Sequence, residues 1–237
     1  MLILAHRGLS DIYPENTLIA FKKAFEAGAD GIELDVRMTR DGEVVVFHDE
    51  DLERMAGRNE KISDMDYKDL LRINIGGEKI PLLSEVLNIV PKNKWLNIEI
   101  KDKMASYPSV DMVISRGLSA FTVFSSFDHK LLESLMKDFP SLKFGYLIGK
   151  EHEEDPVKLV ENIVKNKPFS VHIPYQAFQI FSKEAEEFCV FLRNKGIKII
   201  VWTLNDIEFF KKIKRFVDGV ITDKVIDFVR FLKGECT

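Results

Sequence analysis

Residues 28–49 read GADGIELDVRMTRDGEVVVFHD. Gly31–Asp35 is a mostly apolar run, and strand alternation puts Glu33 and Asp35 on one face of it. Asp41-Gly42 is a tight-turn dipeptide, so the chain is expected to double back there and return towards His48. A two-residue turn pairs Val36 with Phe47 and sets His48 opposite Asp35. Two acids and an imidazole then meet at one strand end. That set suits metal-assisted acid–base chemistry and has no evident use in a core.

Upstream, Leu2–Ala5 reads as a short buried strand with His6-Arg7-Gly8 at its end. Asn16-Thr17 can cap a helix whose apolar residues Leu18, Phe21, Ala24 and Phe25 recur at helical spacing, and Gly28 ends it. Downstream, residues 49–80 are rich in charge and read as an excursion above the sheet. Leu82–Val90 resumes helical spacing, and Trp95–Ile100 is a third strand ending in Glu99 and Lys101. Strand-like runs follow at Phe121–Ser125, Leu142–Leu147, Phe169–Ile173, Ile197–Val201 and Val217–Ile221. Helical runs lie near 109–118, 129–138, 156–165, 182–194, 205–214 and 224–233. Eight strands alternating with helices predict a parallel (β/α)8 TIM-type barrel. No linker or low-complexity tract divides residues 1–237, so one barrel domain with an excursion at about 49–80 is expected.

Net charge is −4, with 34 Lys+Arg against 38 Asp+Glu, which gives nucleic acid or an anionic membrane no electrostatic attraction. The N-terminal MLILAHRG has no basic stretch and no apolar segment of signal length, and no run approaches the ~18 apolar residues of a membrane span. The only cysteines are Cys189 and Cys236, and no disulfide is expected between them. These features predict a soluble cytoplasmic protein with no stable membrane association.

Barrel enzymes do their chemistry at the carboxyl ends of the strands. His6, Arg7, Glu33, Asp35, Glu99, Lys101, Trp202 and Asp223 all fall at such ends. Three carboxylates on neighbouring strands make an oxygen-rich pocket, which favours a hard divalent ion, Mg2+ or Ca2+. Arg7 and Lys101 are donors of the kind phosphate requires. His6 and His48 can form a general acid and base pair near neutral pH. Together these residues point to phosphoryl-transfer chemistry.

The motifs His6-Arg7-Gly8, Pro14-Glu15-Asn16-Thr17, Gly28-Ala29-Asp30, Ile32–Val36, Asp41-Gly42 and Val45–Asp49 closely resemble the signature of the glycerophosphodiester phosphodiesterases. Arg54, Gly57, Asn97–Lys101, Ser125-Ser126-Phe127, Trp202–Asn205 and Asp218–Asp223 extend the similarity over essentially the whole chain. The resemblance implies a distorted barrel with a small insertion after the second strand. It implies metal-dependent hydrolysis of a small glycerophosphodiester to sn-glycerol 3-phosphate and an alcohol. Glu33, Asp35 and Glu99 then look like ligands of one divalent ion. His6 and His48 look like the acid–base pair, and Arg7 and Lys101 like phosphate contacts. A cyclic phosphate formed by the glycerol 2-hydroxyl is the implied intermediate. The leaving-group pocket would lie along Lys143–Ala177.

A lysophospholipase D-like activity is an alternative, and a catalytically silent barrel that binds a phosphate or polyol is another. Several residues carry two readings each. Trp202 lines the glycerol pocket or packs. Asp223 caps the last helix or orients a site residue. Arg54 and Gly57 brace the excursion. His172 ends a strand and is an outside candidate for the pocket, whereas His129 and His152 read as structural or surface residues.

Overall fold

The computed structural model describes residues 1–152 and 154–234, so Cys236 lies outside the described residues. The chain begins with β1 (Leu2–His6), α1 (Leu18–Glu26), β2 (Gly31–Met38) and β3 (Val44–Val46). It continues with α2 (Glu53–Ala56), α3 (Tyr67–Leu70), α4 (Leu83–Ile89), β4 (Trp95–Ile100) and α5 (Ser106–Ser115). β5 (Thr122–Ser126), α6 (His129–Asp138), β6 (Lys143–Leu147) and α7 (Pro156–Asn166) follow. The last elements are β7 (Ser170–Pro174), α8 (Tyr175–Ile180), α9 (Ser182–Asn194), β8 (Lys198–Trp202), α10 (Ile207–Ile213), β9 (Gly219–Thr222) and α11 (Val225–Leu232).

Eight strands pair in parallel in the order β1-β9-β8-β7-β6-β5-β4-β2, and β1 pairs with β2 to close the ring. This is the (β/α)8 barrel read from the sequence. Ile32, Leu34 and Val36 of β2 and Leu96, Ile98 and Ile100 of β4 are buried towards the helices. The alternate residues face the barrel axis, which turns Glu33, Asp35 and Glu99 inwards.

Capping fixes α1. The Thr17 side chain accepts a bond from Ala20 N–H at 3.3 Å, and Ala20, Phe21 and Ala24 form the buried stripe. Gly8 lets the first loop press on that helix: at φ +88°, an added Cβ would come within 2.7 Å of Ala20.

The hairpin differs from the expected register by one residue. β3 pairs antiparallel with β2 as Val36 to Val46, Arg37 to Val45 and Met38 to Val44. The turn therefore has three residues, Arg40-Asp41-Gly42, with Thr39 N–H donating to Glu43 O at 2.9 Å. Gly42 takes the left-handed position (φ +86°) that such a loop demands. The Thr39 hydroxyl holds the turn by donating to Asp41 and accepting from Glu43 N–H. Phe47, not His48, sits across from Asp35, its N–H donating to Asp35 O at 3.0 Å.

The excursion at 49–80 carries its own small core. Leu52, Ile62, Leu70, Ile73, Ile75 and Ile80 are buried with Val45 and Phe47 beneath α2 and α3. Besides the short helices α2 and α3 of the excursion, one helix has no counterpart in the sequence reading. α8 follows β7 directly, entered through Pro174 at φ −65°.

Candidate active site

β2 and β4 run in register with Asp35 beside Glu99. Glu33 lies two residues deeper on the same face. One carboxylate oxygen from each of Glu33, Asp35 and Glu99 lies within 4.8 Å of the others. All three side chains are nearly buried. Burial, then the Asp35 charge, pushes the Glu33 and Glu99 carboxyls above their ordinary range. Burial acts on Asp35 the same way, but the Lys101 and Arg7 cations outweigh it and hold Asp35 low. Asp35 Oδ1 is buried without a hydrogen bond and faces the Lys101 ammonium at 3.5 Å. The trio thus has more negative capacity than its neighbours satisfy. Oxygens on one Mg2+ or Ca2+ stand at most about 4–5 Å apart, so this donor set fits a single hard divalent ion.

Two residues in left-handed backbone conformation shape the rim, Arg7 at φ 55° and Asn16 at φ 57°. Arg7 N–H donates to Glu33 Oε2 at 3.1 Å, and Asn16 Nδ2 donates to Asp35 Oδ2 at 2.9 Å. The Arg7 guanidinium lies 3.3 Å from Asp35 Oδ2 through Nε and donates to Glu15 through Nη1 at 2.8 Å. Lys101 Nζ rests against Glu99 Oε1 and 5.6 Å from the centre of the Phe127 ring.

Each rim histidine is paired with an aspartate. His6 Nδ1 donates to Asp223 Oδ1 at 2.7 Å, and His48 Nδ1 to Asp49 Oδ1 at 2.6 Å. With Nδ1 engaged, Nε2 is the nitrogen left for proton transfer on each ring. Burial lowers the His6 pKa, but the Asp223 hydrogen bond and the Glu33 charge reverse this, and the net direction is up. His48 moves down, chiefly by burial, which the attraction of Asp35 does not overcome. Asp223 also accepts from Ser10 Oγ at 3.1 Å and Asn205 Nδ2 at 2.6 Å. Those bonds and the His6 bond overcome burial and hold its carboxyl down at about 2. α11 has no side-chain cap, so Asp223 orients His6 rather than capping that helix.

Arg54, on α2, joins the two sides of the rim. Its Nε donates to Asp49 Oδ2 at 2.6 Å, and its two Nη groups clasp Glu15 at 2.8 and 2.6 Å. A continuous chain of charge-assisted bonds runs His48–Asp49–Arg54–Glu15–Arg7. The motifs held Glu15, Asn16 and Asp49, but their spacing alone gave no sign of these roles.

Trp202 stands half-buried at the mouth. Its Nε1 donates to His172 O at 3.1 Å, and its ring meets Phe127 edge-on at 5.6 Å. His172 lies inside the barrel and away from the rim. Burial pushes its pKa down to about 3, and Nε2 bonds Ser170 Oγ. His129 opens α6 and bonds Leu147 O, and Gly57 ends α2 at φ +66°.

The sequence pattern of the glycerophosphoryl diester phosphodiesterase family matches residues 6–227. The chain belongs to that family. A glycerophosphodiester phosphodiesterase from Caldanaerobacter subterraneus is 35% identical, covering 94% of this chain and 93% of that one. A crystal structure of a glycerophosphodiester phosphodiesterase from Thermotoga maritima is 46% identical, with a TM-score of 0.89 over 98% of each chain. A human lysophospholipase D is 25% identical over 95% of this chain and 85% of its own. Among the described residues, no helix is long and apolar enough to cross a membrane.

Proposed function

We propose that this protein hydrolyses glycerophosphodiesters to sn-glycerol 3-phosphate and an alcohol, with one divalent ion, Mg2+ or Ca2+, held by Glu33, Asp35 and Glu99. The carrying observation is the buried carboxylate trio flanked by two cations and two histidine–aspartate pairs at one barrel mouth. Held by Glu33, Asp35 and Glu99, such an ion would supply positive charge to stabilise the phosphoryl group. Arg7 and Lys101 bind the same group and orient it. Trp202, with Phe127 against it, walls the glycerol side.

His48, whose pKa burial moves down, takes the proton of the glycerol 2-hydroxyl as that oxygen bonds to phosphorus. His6, whose bond to Asp223 favours the protonated ring, gives its proton to the departing alcohol as the P–O bond breaks. The product of this step is a cyclic glycerol phosphate. In the second step the roles exchange. His6 takes a proton from water as the water oxygen bonds to phosphorus, the bond between phosphorus and the 2-oxygen breaks, and His48 returns its proton to that oxygen. The test is release of glycerol 3-phosphate from glycerophosphocholine or glycerophosphoethanolamine with Mg2+ or Ca2+. His6→Ala, His48→Ala and Glu33→Ala should each abolish it in a folded protein, and full activity of His48→Ala would refute the mechanism.

A lysophospholipase D-like activity is the second reading. Ile12 and Met104, in the segments that follow β1 and β4, are 57% and 62% exposed, and Ile180 and Phe181, at the end of α8, are 70% and 59% exposed, apolar surface on which a lipid chain could lie. Rates on lysophospholipid and on its deacylated counterpart, measured side by side, separate the two.

A further inference from the structure

A groove of about 630 Å3 opens beside the carboxylate trio. Arg37 and Met38 of β2 line it, with Glu50 and Ser63 of the excursion and Asp102, Lys103 and Met104 of the β4–α5 connection, and Lys101 is the residue it shares with the proposed phosphate contacts. The volume suits a small ligand group.

Most of the polar groups in this groove are committed. Asp102 accepts from Met38 N–H and Met104 N–H, Asp128 from Leu131 N–H, and Glu50 from Lys61. Arg37 is different. Its guanidinium is half-buried, and its Nε donates to His48 O at 2.9 Å. Among the described residues, no carboxylate forms an ion pair with Arg37, and its Nη groups have no protein hydrogen-bond partner. A guanidinium presents five N–H donors in a planar fork matched to carboxylate and phosphate; the four on Nη make no protein hydrogen bond, although the charges of Asp102, Asp35, Glu50 and Asp49 act on the group. Lys101, itself paired with Asp35 and Glu99, and Lys103 add positive charge on the same groove, alongside the committed acids Glu50, Asp102 and Asp128.

We propose that this groove receives the leaving alcohol, and that Arg37 selects alcohols carrying an anionic group of their own, a carboxylate or phosphate. The inference rests on the phosphodiesterase reading above. It places the leaving group on the side of the excursion rather than along residues 143–177. The residue whose carbonyl Arg37 holds, His48, is the base of the reaction proposed above, which puts the groove next to that chemistry.

Two substrates test this. One is glycerophosphoglycerol, whose leaving alcohol is neutral. The other is the same diester with a phosphomonoester on the leaving glycerol. The wild type should favour the second, and Arg37→Gln should lower kcat/KM on it by about tenfold or more, mainly through KM. Because Arg37 Nε also holds the His48 carbonyl, the readout is the ratio of kcat/KM on the two substrates: Arg37→Gln should lower the anionic-over-neutral ratio by about tenfold, and Arg37→Lys should lower it by less. Equal losses on both substrates, or no wild-type preference, would overturn the selection by Arg37. Circular dichroism of both variants shows whether they fold; a folded Arg37→Lys with no intermediate effect counts against the proposal even where Arg37→Gln misfolds. A wild type that cleaves neither diester refutes the phosphodiesterase reading itself.

Discussion

Replacing Asp223 by Asn removes the carboxylate that holds His6 and leaves the shape of the side chain in place. Two effects follow. In the first, the amide can present a donor where His6 needs an acceptor, so the imidazole loses its preferred tautomer and its raised pKa. The analogous change in an aspartate–histidine pair of a serine protease costs about 10^4 in kcat, and a loss of about 10^2–10^4 is expected here. The pH limb set by a protonated His6 should move to lower pH. In the second, Asp223 drops from an ordinary 3.8 to about 2 on folding, a difference of about 2 kcal/mol. The carboxylate is 29% exposed, and screening reduces this to about 1 kcal/mol. Because the folded pKa is depressed, this stabilisation is fully present above about pH 4 and disappears as pH falls through about 2. At neutral pH Asp223→Asn should therefore lose it and melt about 2–4 °C lower. Glycerol 3-phosphate release across pH 5–9 and a thermal melt measure both effects. Wild-type turnover with an unshifted pH profile would refute the assignment of Asp223 as the group that orients His6.

Adding Mg2+ or Ca2+ at about a hundredfold over its Kd should stabilise the wild type by about 2.7 kcal/mol, and Glu33→Gln should lose most of that shift in the same thermal titration. Chelation should remove turnover from the wild type and restore it on adding the ion back. Arg54→Ala leaves Glu15 and Asp49 without their shared cation, so kcat/KM should fall at least tenfold, with partial recovery in Arg54→Lys, in steady-state assays. Gly31→Ala drives a Cβ to within 2.2 Å of the Trp95 carbonyl between paired strands, and urea unfolding should show a loss of about 3 kcal/mol or no folded protein.

The barrel was legible because each unit writes its pattern locally. WLNIEI is the strand Trp95–Ile100 residue for residue, and the capped stripe after Thr17 is α1. Most other strands shift by a residue or two, starting later than their apolar runs, whereas β2 runs three residues past Asp35 to Met38 because β3 pairs with its extension. α8 escaped because six residues, Tyr175–Ile180, are too short for a periodic stripe. The excursion hid its core for a related reason: its isoleucines and leucines are spread among charges and meet only when α2 and α3 fold over β3.

The candidate site divides the same way. The sequence by itself determined which residues stand at strand ends, and alternation turned Glu33, Asp35, Glu99 and Lys101 inwards, since strand geometry has a period of two. The two-residue turn expected from Asp-Gly is wrong by one residue, because Asp-Gly serves a two-residue and a three-residue turn alike. Only closure of the barrel decided that Asp223 grips His6, 217 positions away. Only the packing of the excursion brought Arg54 between Glu15 and Asp49. Spacing along a chain encodes which way a side chain points, whereas partners on distant strands are chosen by how the strands and loops close in space.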